Sequence, residues 1–110
     1  MKYYIEVANM PTTNDALEFL KEQKHMVIAP SKAVNACGVA VSALEMAQNA
    51  ERLYWTAEEV DAKMHQIMAN IYHSSVAAAE RYGLGYDLVA GANIVGFQRV
   101  ADAMMAQGIF

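Results

Sequence analysis

The chain has 110 residues, enough for one small domain of the usual ~100–150 residues but not for the two domains that most enzymes binding both a cofactor and a substrate require. Apolar residues make up 55% of it, including 20 alanines and 8 methionines, which sets it apart from a disordered tail. Twelve acids against eight bases give a net charge of −4, and the scattered lysines and arginines form no stripe, so the chain is not expected to bind nucleic acid.

The N-terminal run MKYYIEVANM carries Glu6 where a leader peptide would be apolar and is followed by no small-residue cleavage site, so the expected compartment is the cytoplasm. Residues 2–7 (KYYIEV) are rich in β-branched and aromatic side chains and alternate poorly, which predicts a strand buried on both faces. Pro11, Thr12 and Thr13 end it. Ala16, Leu17 and Leu20 fall at helical spacing over about residues 14–24, with Thr12 or Thr13 as the N-cap. Residues 25–29 (HMVIA) are an apolar run too short for a helix and stopped by Pro30, hence a second strand. The first 30 residues therefore read as a β-α-β unit with parallel strands and a right-handed crossover.

From Ser31, a natural N-cap, to about Leu53 there is no proline and one glycine, which predicts a single long helix. Ala33, Ala36, Ala40, Ala43, Ala47 and Ala50 recur at three- and four-residue steps and leave one smooth face. Residues 33–44 are also the longest apolar stretch of note, well short of the ~20 residues a membrane helix needs, and Asn35 and Ser42 lie inside it. Thr56 and Glu59 then form a T-x-x-E capping box with Trp55 and Val60 placed as its hydrophobic staple. Val60, Met64, Ile67, Met68, Ile71, Ser75, Val76 and Ala79 trace one apolar stripe to about Tyr82, where Gly83 and Gly85 end the helix. After a short YDLVAG segment, Ile94, Phe97, Val100, Ala101, Met104 and Met105 predict a last amphipathic helix closed by Gly108. The fold class is α/β and mostly helical: a β-α-β unit followed by three helices. Two parallel strands are an incomplete sheet, because parallel sheets are normally covered on both faces and flanked by further strands.

The chemistry-bearing residues are few. His25, His65 and His73 include no i, i+4 pair and no completing Cys or carboxylate, so no metal site is expected. Cys37, the single cysteine, has no internal disulfide partner and no partner base, and reads as a packed small residue. Gly83, Gly85 and Gly91 do not have G-x-G-x-x-G spacing and read as a helix–helix turn. Two segments, ANMPTT (residues 8–13) and the start of the helix after Pro30, follow the carboxyl ends of parallel strands, where ligands of α/β sheets gather. Asn9 falls in the first. Asn35 and Ser42, seven apart on one helix face, suit a carboxamide and a carboxylate, or alternatively satisfy a helix–helix contact.

Four linked runs carry a resemblance that covers essentially the whole chain in order: ANMPTT, APSKAVNACGVAVSALEMAQNAERL, WTAEEVDAKMHQIM and GANIVGFQRVADAMMAQGI. Together they strongly resemble the C-terminal quarter of the hexameric NAD(P)-dependent glutamate dehydrogenases. That family interconverts L-glutamate with 2-oxoglutarate and ammonia, moving hydride to NAD or NADP in a cleft between a substrate domain and a Rossmann-like domain. The resemblance implies that residues 1–30 are the β-α-β remnant of the cofactor-binding domain. Residues 31–110 would be a long crossing helix and two amphipathic helices in one compact unit. It implies that Asn9 lies near the nicotinamide ribose and that Asn35 hydrogen-bonds the nicotinamide carboxamide. Ser42 would bind the side-chain carboxylate of glutamate, with Val39 lining the same pocket.

Two positions depart from the family pattern. Val7 stands where the family usually has the glycine of E-G-A-N, and Cys37 stands for the first glycine of N-A-G-G-V. The family's catalytic lysines, catalytic aspartate, glycine-rich dinucleotide loop and acidic ribose-reading residue all precede the matching segment. The expectation is a C-terminal fragment with no catalytic residue of its own, inactive and without tight cofactor binding alone, that partners the N-terminal part of the enzyme or assembles as a homo-oligomer. The alternative is a stand-alone, self-associating interaction module derived from the enzyme, using apolar faces left bare.

Overall fold

Two three-residue strands open the fold in a computed structural model that describes residues 2–108. Met1, Ile109 and Phe110, which belong to the expected units 1–30 and 31–110, lie outside the described residues. β1 (Tyr3–Ile5) and β2 (Val27–Ala29) pair in parallel, with Tyr3 opposite Val27 and Ile5 opposite Ala29. Between them runs α1 (Asn14–Lys21), whose N-cap is Thr13: its side-chain oxygen accepts from the Ala16 amide at 3.3 Å. The helix stops short of residue 24, since beyond Leu20 the sequence offers only polar Gln23, Lys24 and His25 to hold another turn.

β1 corrects one expectation. A strand buried on both faces was expected, yet Tyr3 is 57% and Ile5 60% exposed. β-propensity sets the backbone, but burial requires a second layer, and the described residues of this chain place none over that side of the two-stranded sheet.

The expected long helix is two. α2 (Ser31–Val34) and α3 (Ala36–Glu51) are separated at Asn35, whose backbone leaves the helical region at φ −87°, ψ 2°. Pro30 rather than Ser31 occupies the N-cap, with extended φ and ψ that its ring favours. Its carbonyl accepts from the amides of Ala33 and Val34, both at 3.0 Å. α3 closes on Arg52 in the left-handed region at φ 55°.

α4 (Ala57–Arg81) begins with the complete capping box: the Thr56 hydroxyl accepts from the Glu59 amide at 3.2 Å, and the Glu59 carboxylate accepts from the Thr56 amide at 2.7 Å. It ends in a Schellman motif. Gly83, at φ +72°, donates to Glu80 O while Leu84 donates to Ala79 O at 2.9 Å, which satisfies two terminal carbonyls. α5 (Leu88–Gln107) starts earlier than the hydrophobic pattern suggests, because Asp87 caps it by accepting from the Ala90 amide at 3.0 Å. Gly108 closes it.

α4 and α5 form the most extensive contact of the fold. Small residues allow it: Ser75, Ala78 and Ala79 are buried on α4, and Gly91 on α5 lies so close that an added Cβ would stand 1.9 Å from Ser75 O. The apolar stripe of α4 faces inward as expected. That of α5 does not: Phe97 is 76% and Met105 79% exposed, and the buried residues are Leu88, Val89 and Gly91 of its first turns. The helices pack tightly at Gly91, and every described residue after Ala101 is exposed.

The resulting core is small, comprising Ile28, Ala78, Ala79, Leu88 and Val89. The radius of gyration is 16.6 Å, against about 13 Å for a compact domain of this size. The accessible surface is 8388 Å², against about 6,000 Å² expected for a folded monomer of this mass. The surplus is surface that a self-contained domain of this length would bury.

Candidate functional site

Parallel pairing puts the carboxyl ends of β1 and β2 on the same edge of the sheet, so the loop after Ile5 and the turn at Pro30 leave it side by side. Asn9 lies in that loop, and Asn35 sits at the break between α2 and α3. The Asn35 side-chain amide donates both its protons back to the first loop, one to Val7 O at 3.0 Å and one to Asn9 Oδ1 at 2.7 Å. The helix break thus coincides with the residue whose side chain crosses to β1. The two donor bonds leave the Asn35 carbonyl oxygen as an acceptor, and the accepted bond leaves the Asn9 amide protons as donors.

Val39 and Ser42 follow on α3, three residues apart and therefore on one face. Both are exposed, Val39 at 77%. The Ser42 hydroxyl donates to Gly38 O at 3.2 Å within its own helix, so its oxygen still accepts from outside. Space around Gly38 is open, with nothing beyond its own helix backbone and chain neighbours within 4 Å of where a Cβ would stand. The structure therefore joins Asn9 to Asn35 directly, while Val39 and Ser42 stand on open surface without a wall facing them.

None of the four residues is ionisable. An amide, an amide, a methyl-bearing side chain and a hydroxyl orient a ligand and discriminate its donors from its acceptors, but supply no group that exchanges a proton near neutral pH. The donor set fits the group that the family resemblance implies: a carboxamide brings N–H donors to the free Asn35 oxygen, and a sugar hydroxyl accepts from Asn9. Among the described residues no three His, Cys, Asp or Glu side chains gather as metal ligands, and no helix is long and apolar enough to cross a membrane.

Three long-range features had no counterpart in the sequence pattern. Lys21 of α1 pairs with the capping Asp87 at 3.3 Å, tying the β-α-β unit to the start of α5. The Tyr72 and Tyr86 hydroxyls share a hydrogen bond of 2.6 Å across the α4–α5 turn. That bond first, then partial burial and the neighbouring phenols of Tyr72 and Tyr3, pushes the Tyr86 phenol up to about 12. Lys32, which lines an open cleft of about 540 Å³ between α2, α4 and α5, donates to the side chain of Asn93. The aspartate before LVA was readable as a cap; its partner Lys21 was not, because nothing local links positions so far apart. None of Asn9, Asn35, Val39 or Ser42 lines the α2–α4–α5 cleft.

Comparison with known proteins matches residues 1–108 to the family model of the glutamate/leucine/phenylalanine/valine dehydrogenases. The chain is 75% identical over 109 residues to the NAD-specific glutamate dehydrogenase of Clostridium symbiosum, an alignment covering 99% of this chain and 24% of that protein. It is 55% identical over 111 residues to the NADP-specific glutamate dehydrogenase of Escherichia coli K12, again 99% of this chain and 24% of the relative. Among solved structures, a glutamate dehydrogenase superposes with a TM-score of 0.95 at 76% identity over 98% of this chain and 24% of the other. The Plasmodium falciparum glutamate dehydrogenase does so with a TM-score of 0.86 at 48% identity, over 94% of this chain and 22% of the other. The chain thus spans about a quarter of the length of the relatives it matches.

Proposed function

The chain belongs to the glutamate/leucine/phenylalanine/valine dehydrogenase family, and from that premise we propose that it forms one wall of the nicotinamide and glutamate cleft of a glutamate dehydrogenase. In this reading residues 1–30 end the cofactor-binding domain and residues 31–110 carry the chain back across the cleft. The observation that carries it is the Asn35–Asn9 hydrogen bond at the carboxyl edge of the sheet, beside an α3 face that leaves Val39 and Ser42 bare.

Each residue has a physical role in that cleft. Asn35, anchored to Val7 and Asn9 by its two amide protons, presents its carbonyl oxygen to the carboxamide of NAD or NADP. Asn9 presents amide protons to the ribose. Ser42 offers a hydroxyl to the side-chain carboxylate of glutamate, and Val39 excludes water beside it. The bound cofactor supplies the hydride acceptor for the oxidation of the amino acid to 2-oxoglutarate and ammonia. The general acid–base groups belong to the opposite wall, so the 110-residue chain alone is inactive. Relatives named for NAD and for NADP both match, and no residue of this reading chooses between the two. The working compartment in this reading is the cytoplasm.

Complementation tests this reading. The chain is co-produced with the preceding polypeptide of the Clostridium symbiosum relative, and glutamate-dependent reduction of NAD is followed. Activity should appear only with both parts, and Asn35→Ala and Ser42→Ala in this chain should each abolish most of it. Full activity with both substitutions in place would refute the assignment.

A second reading, a self-associating interaction module, is favoured by one observation: the accessible surface of 8388 Å² with Met10, Phe19, Phe97 and Met105 all exposed. In this reading the homo-oligomer covers those faces. Light scattering separates the two: a monodisperse monomer of the isolated chain removes the second.

A further inference from the structure

The cleft between α2, α4 and α5 is lined by none of Asn9, Asn35, Val39 and Ser42, and its chemistry is distinct. Its volume of about 540 Å³ falls within the ~300–1,000 Å³ typical of small-molecule sites. The floor is apolar, formed by Ile67 and Ile71 of α4 and Val95 of α5. Two of the lining residues are charged, Lys32 and Arg99, and both are cations. In a chain of net charge −4 this is a local reversal of sign. Among the described residues neither Lys32 nor Arg99 has a carboxylate within ion-pair distance. Lys32 is fixed by its bond to Asn93, which takes one of three ammonium protons and leaves two. Ser74 of α4 also lines the cleft.

We propose that this cleft binds a small organic carboxylate with a short apolar tail. The tail lies on Ile67, Ile71 and Val95, where it sheds water, and the carboxylate meets Arg99 and Lys32. A guanidinium fork matches two carboxylate oxygens, and a fixed ammonium adds a second charge-assisted bond. The apolar floor selects a carboxylate with a hydrocarbon body over inorganic phosphate, which would gain the charges and waste the floor. The site is independent of the assignment of the Asn9–Asn35 edge to a cofactor cleft.

Hexanoate is the probe. Methyl NMR spectra of the 110-residue chain should show saturable shifts at Ile67, Ile71 and Val95 on adding hexanoate. Hexylamine and inorganic phosphate at the same concentrations should leave those methyls in place. Lys32→Met and Arg99→Met should each weaken hexanoate binding by about tenfold, the loss expected for one charge-assisted hydrogen bond, with helical circular dichroism unchanged. The proposal is overturned if hexylamine or phosphate shifts the same methyls as strongly as hexanoate does. It is equally overturned if hexanoate shifts none of them, or if both variants bind it as well as the parent. The amine and phosphate arms use the unaltered chain, so a variant that fails to fold leaves the outcome decided.

Discussion

Asn35 and Asn9 lie 26 positions apart in sequence and are joined by a hydrogen bond of 2.7 Å, made where α2 gives way to α3. The same Asn35 amide also holds Val7 O, so one side chain fastens the loop after β1 to the helix after β2. Asn35→Ala removes both bonds and leaves two acceptors to water, since the site is open. The expected loss is about 1–2 kcal/mol, two net hydrogen bonds, read as a lower urea midpoint. Asn9→Ala removes one bond and should cost about half as much.

Gly91→Ala tests the α4–α5 crossing. The new Cβ would meet Ser75 O at 1.9 Å, and backbone on both sides of the contact cannot yield as a side chain can. The helices must move apart, at a cost of about 3 kcal/mol, the upper range for overpacking. Gly38→Ala in α3 has open space around it and should stabilise by about 0.5–1 kcal/mol through helix propensity. Denaturant unfolding of the two variants should therefore move in opposite directions.

The helix caps separate into single and double losses. Thr56→Ala breaks the capping box and should cost about 1 kcal/mol. Asp87→Ala removes both the Ala90 cap and the Lys21 ion pair, whereas Asp87→Asn keeps the cap. The Asn variant should lose no more than about 1 kcal/mol, the usual limit for a partly exposed pair, and added salt should erase the difference between it and the parent. Urea titrations at low and high ionic strength make the comparison.

Stability should also fall in alkali through Tyr86. Its phenol is raised from 10.0 to about 12 in the folded chain, so the folded state holds the proton more tightly. The contribution is complete below pH 10, where both states are neutral. It declines as the unfolded chain ionises first, and is gone above about pH 12. Phenolate absorbance during an alkaline titration should show the Tyr86 step near pH 12, and Tyr72→Phe, by removing the largest cause, should bring that step back toward 10.0.

Much of this protein was legible along the chain because its signals are local. Thr56 and Glu59 are three residues apart, and their reciprocal bonds follow from spacing alone. Gly83 is placed where only a left-handed residue closes α4 well. The parallel β-α-β unit follows from two apolar runs divided by a helical period. Parallel strands located Asn9 and Asn35 at one edge, since both follow a strand's carboxyl end, although periodicity could not say that they touch.

Tertiary structure decided the rest. Asn35 breaks a helix whose composition favours continuity, because its amide protons find acceptors in a loop distant in sequence. Apolar pattern marks which face of a helix wants cover, but not whether this chain provides it. Phe97 and Tyr3 are hydrophobic by pattern and exposed in fact. Sequence by itself thus determined the order of strands and helices, the caps Thr13 and Thr56, and the family. Only the packed structure determined which faces meet, since burial is a property of pairs of surfaces and a residue's own chemistry specifies just one of them.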